Sequence, residues 1–85
     1  MAVLMYSSGL CGYCHAAETL LRQRGVSEIE KIFIDRLPDR RDEMIRLTGR
    51  RTVPQIFIHG HHVGGYDDLA ALDRRGELLP LLQKE

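Results

Sequence analysis

Two cysteines are the residues of this chain best suited to chemistry. Cys11 and Cys14 are the only cysteines among 85 residues, and two residues separate them. The apolar stretch Val3–Tyr6 predicts a buried strand and residues 12–24 predict a helix, so the pair lies where a strand leads into a helix. Because a thiol at a helix N-terminus faces free backbone N–H groups and the positive end of the dipole, we expect a lowered pKa for Cys11. Cys14 follows one turn later on the same side, which favours a disulfide that opens and closes.

Three other interpretations of the cysteines have to be weighed. In the first, the cysteines are simply buried apolar side chains of the core, but such cysteines would not need this spacing at a strand–helix junction. A zinc site requires four ligands, and the histidines that would complete it match no zinc module in their spacing: His15, His59, His61 and His62. The run from Cys11 to His15 matches the attachment pattern of c-type haem, but the N-terminus has no basic region or apolar run typical of an export signal. A redox-active dithiol is therefore the favoured interpretation, with no metal site expected.

Composition narrows the class of protein. Twelve acidic and twelve basic residues give a net charge of zero, so nothing attracts the chain in general to nucleic acid or to a membrane surface. No apolar run is long enough to cross a bilayer. Closely spaced cysteines without an export signal indicate a reducing compartment, and we expect a cytoplasmic protein. The length predicts a single domain over residues 1–85.

Hydrophobic patterns and turn residues predict eight elements in an alternating α/β order. They are strands 3–6, 29–35, 56–58 and 61–64, helices 12–24, 38–48 and 68–75, and a helical tail over 77–82. The first two strands enclose a helix, so they should be parallel. His59-Gly60 predicts a two-residue hairpin turn, and the three histidines around it are expected to be exposed. Asp67 is the expected N-cap of the third helix.

Three motifs in order resemble the glutaredoxins, specifically the dithiol class found in bacteria. They are Cys11-Gly12-Tyr13-Cys14, the run from Arg51 to Ile58 that contains Thr52-Val53-Pro54, and Gly64-Gly65-Tyr66-Asp67-Asp68. The resemblance covers essentially the whole chain. It implies a thioredoxin fold: a four-stranded mixed sheet of order 2-1-3-4 with helices on both faces, and a cis peptide bond between Val53 and Pro54. It also implies a glutathione-dependent disulfide oxidoreductase that acts on glutathione mixed disulfides and protein disulfides.

The resemblance also implies a role for individual residues. Cys11 would be the nucleophile and Cys14 the resolving thiol. Glutathione would serve as reductant, with no tightly bound cofactor, and would contact these residues: Tyr13, Arg51, Thr52, Val53, Pro54, Tyr66, Asp67 and Asp68. Arg51 would take a carboxylate of glutathione and Asp68 its ammonium group.

Two positions depart from the family pattern. Ser8 stands where a lysine is usual, and Arg41 and Arg51 are the candidates to replace that charge. Gly12 stands where proline is commonest, and among glutaredoxins such departures are associated with iron–sulfur clusters. The alternative to a monomeric enzyme is therefore a homodimer that carries a [2Fe–2S] cluster, with one ligand from Cys11 of each protomer and the others from two glutathiones.

Overall fold

A computed structural model describes residues 2–84. These residues form four strands and four helices. The elements in chain order are β1 (Val3–Ser7), α1 (Gly12–Gln23), β2 (Glu30–Phe33), α2 (Pro38–Thr48), β3 (Gln55–Ile58), β4 (His61–Gly64), α3 (Tyr66–Arg74) and α4 (Leu78–Gln83).

The four strands form one mixed sheet in the order β2-β1-β3-β4. β1 pairs in parallel with β2 and antiparallel with β3, and β3 pairs antiparallel with β4. The Val53–Pro54 peptide immediately before β3 is cis. The predicted thioredoxin-fold sheet, its strand order and the cis bond are therefore confirmed.

Alternate residues of the sheet build a separate core on each face. Val3 and Met5 of β1 belong to a cluster with side chains of α1, α3 and α4, among them Leu21, Leu69 and Leu78. Tyr6 points to the other face, where it packs with residues of β2 and α2 that include Ile32 and Met44. Because both faces of β1 are covered, its C-terminal end is held firmly just ahead of the cysteines.

Some predicted boundaries were wrong for local reasons. Strand β2 ends at Phe33 rather than Asp35, because the carbonyl group of Phe33 accepts hydrogen bonds from the N–H groups of Arg36 and Leu37 in a turn. Helix α3 begins at Tyr66, and its N-cap is Gly65 instead of Asp67. The N–H group of Gly65 donates to Asp68 Oδ2 at 2.9 Å, so the capping carboxylate comes from within the helix.

The hairpin histidines also differ from the expectation. The two-residue turn is present, and both His59 and Gly60 have positive φ. His61 is exposed. His59 Nε2, however, lies 3.1 Å from the carbonyl oxygen of Leu82, and His62 packs its ring against Phe57 with 5.0 Å between centroids. Leu82, from the C-terminal helix, and Phe57, on the neighbouring strand of the hairpin, therefore partly cover two of the three rings.

Candidate active site

The two cysteines are joined at the start of α1. Cys11 is the N-cap residue with an extended backbone, and its Sγ forms a disulfide with Cys14. The N–H group of Cys14 donates to Cys11 Sγ at 3.1 Å. Cys14 is buried at 3% exposure, whereas Cys11 is partly exposed. A sulfur that receives a helix N-terminal N–H and reaches solvent is the one suited to attack as a thiolate.

The segment before β3 lies beside this sulfur. The carbonyl oxygen of Val53 is 3.8 Å from Cys11 Sγ. Residues Thr52 to Pro54 precede the first sheet residue, Gln55. A bound molecule that touched this segment would therefore be within reach of the reactive sulfur.

A groove of about 350 Å³ runs from this segment to the start of α3. Its lining brings together three parts of the chain: Tyr13, Arg50, Thr52, Val53, Pro54, Gln55, Gly65, Tyr66, Asp67 and Asp68. Seven of the eight residues predicted to contact glutathione line it, and the exception is Arg51, which is exposed. A larger groove of about 430 Å³ is lined by Ala2, Val3 and Leu4 at the start of β1, and it includes none of the residues 52–54 that lie beside Cys11.

Charge within the groove is already paired. Arg50 Nη1 lies 2.8 Å from Asp68 Oδ2, and the same oxygen accepts the N–H group of Gly65. These hydrogen bonds lower the pKa of Asp68 below its usual value, and the one from Arg50 has the larger effect. The groove therefore presents an anion and a cation in contact, beside the start of α3.

A smaller cavity of about 150 Å³ flanks the other side of the disulfide. Ser8 and Lys31 both line it, together with the two cysteines. Lys31 Nζ lies 3.1 Å from Glu18 Oε1, so this ammonium group is paired with a carboxylate. The start of α1 is therefore the main source of positive potential that we assign to the sulfur of Cys11.

The model of the family described as "Glutaredoxin" matches residues 3–63. This chain belongs to the glutaredoxin family. Glutaredoxin 3 of Escherichia coli strain K12 is 52% identical over 81 residues, which cover 95% of this chain and 96% of that protein.

Solved glutaredoxins have the same structure. The buckwheat glutaredoxin–glutathione complex aligns with a TM-score of 0.86 at 35% identity, over 94% of this chain and 74% of that one. The solution structure of glutaredoxin from Brucella melitensis aligns with a TM-score of 0.85 at 43% identity, over 98% of this chain and 89% of that one. As a glutaredoxin with a Cys11–Cys14 pair, this protein is a glutathione-dependent thiol–disulfide oxidoreductase that uses glutathione as its reductant.

Three residues that line the groove in this glutaredoxin are not among the contacts expected from the sequence: Arg50, Gln55 and Gly65. Arg50 and Arg51 are adjacent, and the contact expected from the sequence is Arg51. The sequence predicts Gln55 in the segment that leads into the strand 56–58, and Gly65 in a sharp turn. Alternation along the chain does not identify these residues, because four consecutive residues, 52–55, line the groove.

No helix among residues 2–84 is long and apolar enough to span a membrane. The same part of the chain contains no group of three or more histidine, cysteine or acidic side chains arranged to hold a metal ion.

Proposed function

We propose that Cys11 is the nucleophile of this glutaredoxin. Its thiolate attacks the glutathione sulfur of a mixed disulfide, the S–S bond breaks, and the substrate leaves as a thiolate that takes a proton from water. The thiolate of a second glutathione then attacks the glutathione sulfur on Cys11, which forms oxidised glutathione and releases the Cys11 thiolate. The exposure of Cys11 and the hydrogen bond from the N–H group of Cys14 support this assignment.

Cys14 is the resolving thiol for protein disulfides. After Cys11 has formed a mixed disulfide with a protein, the Cys14 thiolate attacks Cys11 Sγ, and the second protein sulfur leaves. Two glutathione molecules later reduce the Cys11–Cys14 disulfide, and they leave as one molecule of oxidised glutathione. The burial of Cys14 supports this role, because a buried thiol meets Cys11 more readily than an external substrate.

The groove is the site that we assign to glutathione. The convergence of seven predicted contact residues on one surface beside Cys11 carries this proposal. The main chain of Thr52 and Val53 binds the tripeptide backbone in strand-like fashion, and Tyr13, Pro54 and Tyr66 supply apolar contacts. Tyr13 is 66% exposed and its ring lies 6.1 Å from that of Tyr66 between centroids, which leaves its outer face open. Asp67 and Asp68 hold the γ-glutamyl end.

Arginine substitutions test which of two neighbours recognises a carboxylate of glutathione. We expect Arg50→Ala to raise KM for a small glutathione mixed disulfide about tenfold, the effect of losing one charge-assisted hydrogen bond. We expect Arg51→Ala to leave KM within a factor of two, as Arg51 does not line the groove. Steady-state kinetics at saturating reductase measures both, with thermal unfolding as a check on folding.

The reverse ranking would assign the carboxylate to Arg51, as the sequence alone suggested. Equal and negligible effects in both variants would contradict the location of glutathione in this groove.

A second candidate function is the carriage of a [2Fe–2S] cluster. Such a cluster takes four thiolates. Cys11 can offer one to the outside and Cys14 is buried, so one protomer supplies one ligand, and two protomers with two glutathiones complete the set. The observation that favours this function is the open turn: Gly12 is exposed, and a Cβ atom there would meet no heavy atom within 4 Å. Of the residues of this chain, Cys11 alone would bind the cluster, and the cluster would be carried as a substrate and not held as a resident cofactor.

Anaerobic reconstitution with iron, sulfide and glutathione tests the carrier function. We expect a coloured dimer by visible absorption and size-exclusion chromatography, and its loss in Gly12→Pro because proline fixes φ at the turn. Cys14→Ser serves as the control and should retain the colour, since Cys14 is not a ligand. A colourless monomer from the wild type under these conditions would leave only the oxidoreductase.

Outside the cluster-bridged state, we propose that residues 1–85 act as a monomeric glutaredoxin domain in the cytoplasm. Glutathione can keep the dithiol reduced in such a compartment. Its macromolecular partners are glutathionylated and disulfide-containing proteins, and not nucleic acid or membranes.

A further inference from the structure

A buried glutamine connects β4 to the proposed glutathione groove. Gln55 has an exposure of 0% and is the first residue of β3. Its Nε2 donates to the carbonyl oxygen of Thr52 at 3.0 Å. Its Oε1 lies 2.8 Å from His62 Nε2 on the neighbouring strand. One side chain therefore joins His62 to the main chain of the segment beside Cys11.

The order of donors and acceptors along this connection has one solution. The Thr52 carbonyl oxygen can only accept, so it requires the amide nitrogen of Gln55. That leaves Gln55 Oε1 facing His62, and an amide oxygen also only accepts. His62 must therefore carry a proton on Nε2. If His62 lacked this proton, the Gln55 amide would face an acceptor at one end or the other.

The ring of His62 is itself held in place. It packs against Phe57 on β3, the residue with which it is paired in the sheet. The charged and titratable groups that act on it are Arg50, Asp68 and His61, and burial together with Arg50 lowers the pKa of His62 below its usual value. Near neutral pH the ring is therefore uncharged, and a single Nε2–H tautomer satisfies Gln55.

We propose that His62 is a positioning residue for glutathione binding, because it fixes Gln55 and, through it, the carbonyl group of Thr52. Thr52 and Val53 are the residues whose main chain we assign to the glutathione backbone, so the inference rests on that proposed function. The direction of the Thr52 carbonyl sets the peptide plane that leads to Val53, whose own carbonyl oxygen lies 3.8 Å from Cys11 Sγ. A donor on β4 thus sets the geometry of the groove without contact with the ligand.

Kinetics of matched variants tests the positioning role. We expect His62→Leu to raise KM for a glutathione mixed disulfide about fivefold with little change in kcat, as it removes one hydrogen bond that orients Gln55. His62→Gln places an amide donor at a similar distance from the backbone and should restore KM to within a factor of two. His61→Leu alters the exposed neighbour on the same strand and should leave KM unchanged. An unchanged KM in His62→Leu, or a failure of His62→Gln to restore it, would overturn the proposal.

Nuclear magnetic resonance of the protein without glutathione tests the connection independently of activity. We expect the ¹⁵N signals of His62 to show a protonated Nε2 and an unprotonated Nδ1. We also expect His62→Leu, but not His61→Leu, to shift the amide signal of Val53. A protonated Nδ1 with a bare Nε2 in the wild type would overturn the proposal even if His62→Leu did not fold.

Glutathione added to the wild type separates this inference from the proposed function. A shift of the Thr52 and Val53 amide signals upon addition supports the groove as the glutathione site. If glutathione left them unchanged while His62→Leu moved Val53, the groove assignment would fail, and the link from His62 to the loop would stand as a structural feature without a role in binding.

Discussion

Cys11→Ser is expected to lower turnover of every disulfide substrate by at least about a thousandfold. The hydroxyl group of serine does not ionise near neutral pH, so no nucleophile remains at the start of α1. The only other cysteine is Cys14, which is buried and cannot meet an external disulfide. The measurement is glutathione-dependent reduction of a small mixed disulfide and, separately, of a protein disulfide.

Cys14→Ser is the matched control, since it removes the partner thiol from the same disulfide. We expect it to retain most of the activity on the mixed disulfide, because a second glutathione releases Cys11. Reduction of the protein disulfide should fall strongly, because that route uses an intramolecular thiol. Equal loss of both activities in Cys14→Ser would contradict the division of roles between the two cysteines.

Gly64→Ala is expected to lower the free energy of unfolding by about 2–4 kcal/mol, through backbone strain and the loss of a helix cap. Gly64 has a φ of 118°, a region that residues with a Cβ atom rarely adopt. A Cβ atom there would overlap Asp68 Oδ2, and would come within 2.8 Å of Asp68 Cγ and 3.1 Å of Arg50 Nη1. Asp68 would have to move, and its hydrogen bonds to Gly65 and Arg50 would be lost. We therefore also expect KM for glutathione mixed disulfides to rise.

Gly49→Ala provides the comparison for this effect. Gly49 ends α2 with a φ of 71°, but a Cβ atom there would have no heavy atom within 4 Å. Its replacement should cost about 1 kcal/mol from the left-handed backbone alone and leave KM unchanged. Urea denaturation and steady-state kinetics measure the two quantities. Equal destabilisation of both variants would show that the Asp68 cap contributes nothing.

The carboxylate of Asp68 stabilises the start of α3 and also lies in the groove that we assign to glutathione. Asp68 caps α3 through Gly65, pairs with Arg50, and lies where we place the γ-glutamyl end of glutathione. The ammonium group of a bound glutathione would add a second cation beside Asp68. The ion pair with Arg50 keeps this carboxylate charged and oriented before the ligand arrives, which lowers the ordering cost of binding.

Local pattern alone determined most of the elements and the reactive pair. The spacing of Cys11 and Cys14 after the apolar strand predicted a redox dithiol at the start of a helix. This prediction was possible because the cysteine spacing and the strand and helix patterns all depend on residues close in sequence. The helix Pro38–Thr48 was predicted to the residue, because proline starts it and glycine ends it. The motif around Val53 and Pro54, through the family resemblance, predicted the cis bond and the sheet order, and both are confirmed.

Only the tertiary structure decided which neighbours complete the site. Arg50 rather than Arg51 enters the groove because the partner of Arg50, Asp68, comes from a helix eighteen residues later. The side chain of Asp68 accepts the N–H group of Gly65, which makes Gly65 the N-cap of α3. The same side chain occupies the space that a Cβ atom on residue 64 would need, so Gly64 must be glycine. His62 is covered because the paired strand β3 places it against Phe57 and Gln55. No periodicity along β4 reveals that His62 is connected through Gln55 to the carbonyl group of Thr52, ten residues earlier. Sequence patterns report what a residue does to its own element, whereas hydrogen-bond and charge partners are set by the distances between elements after folding.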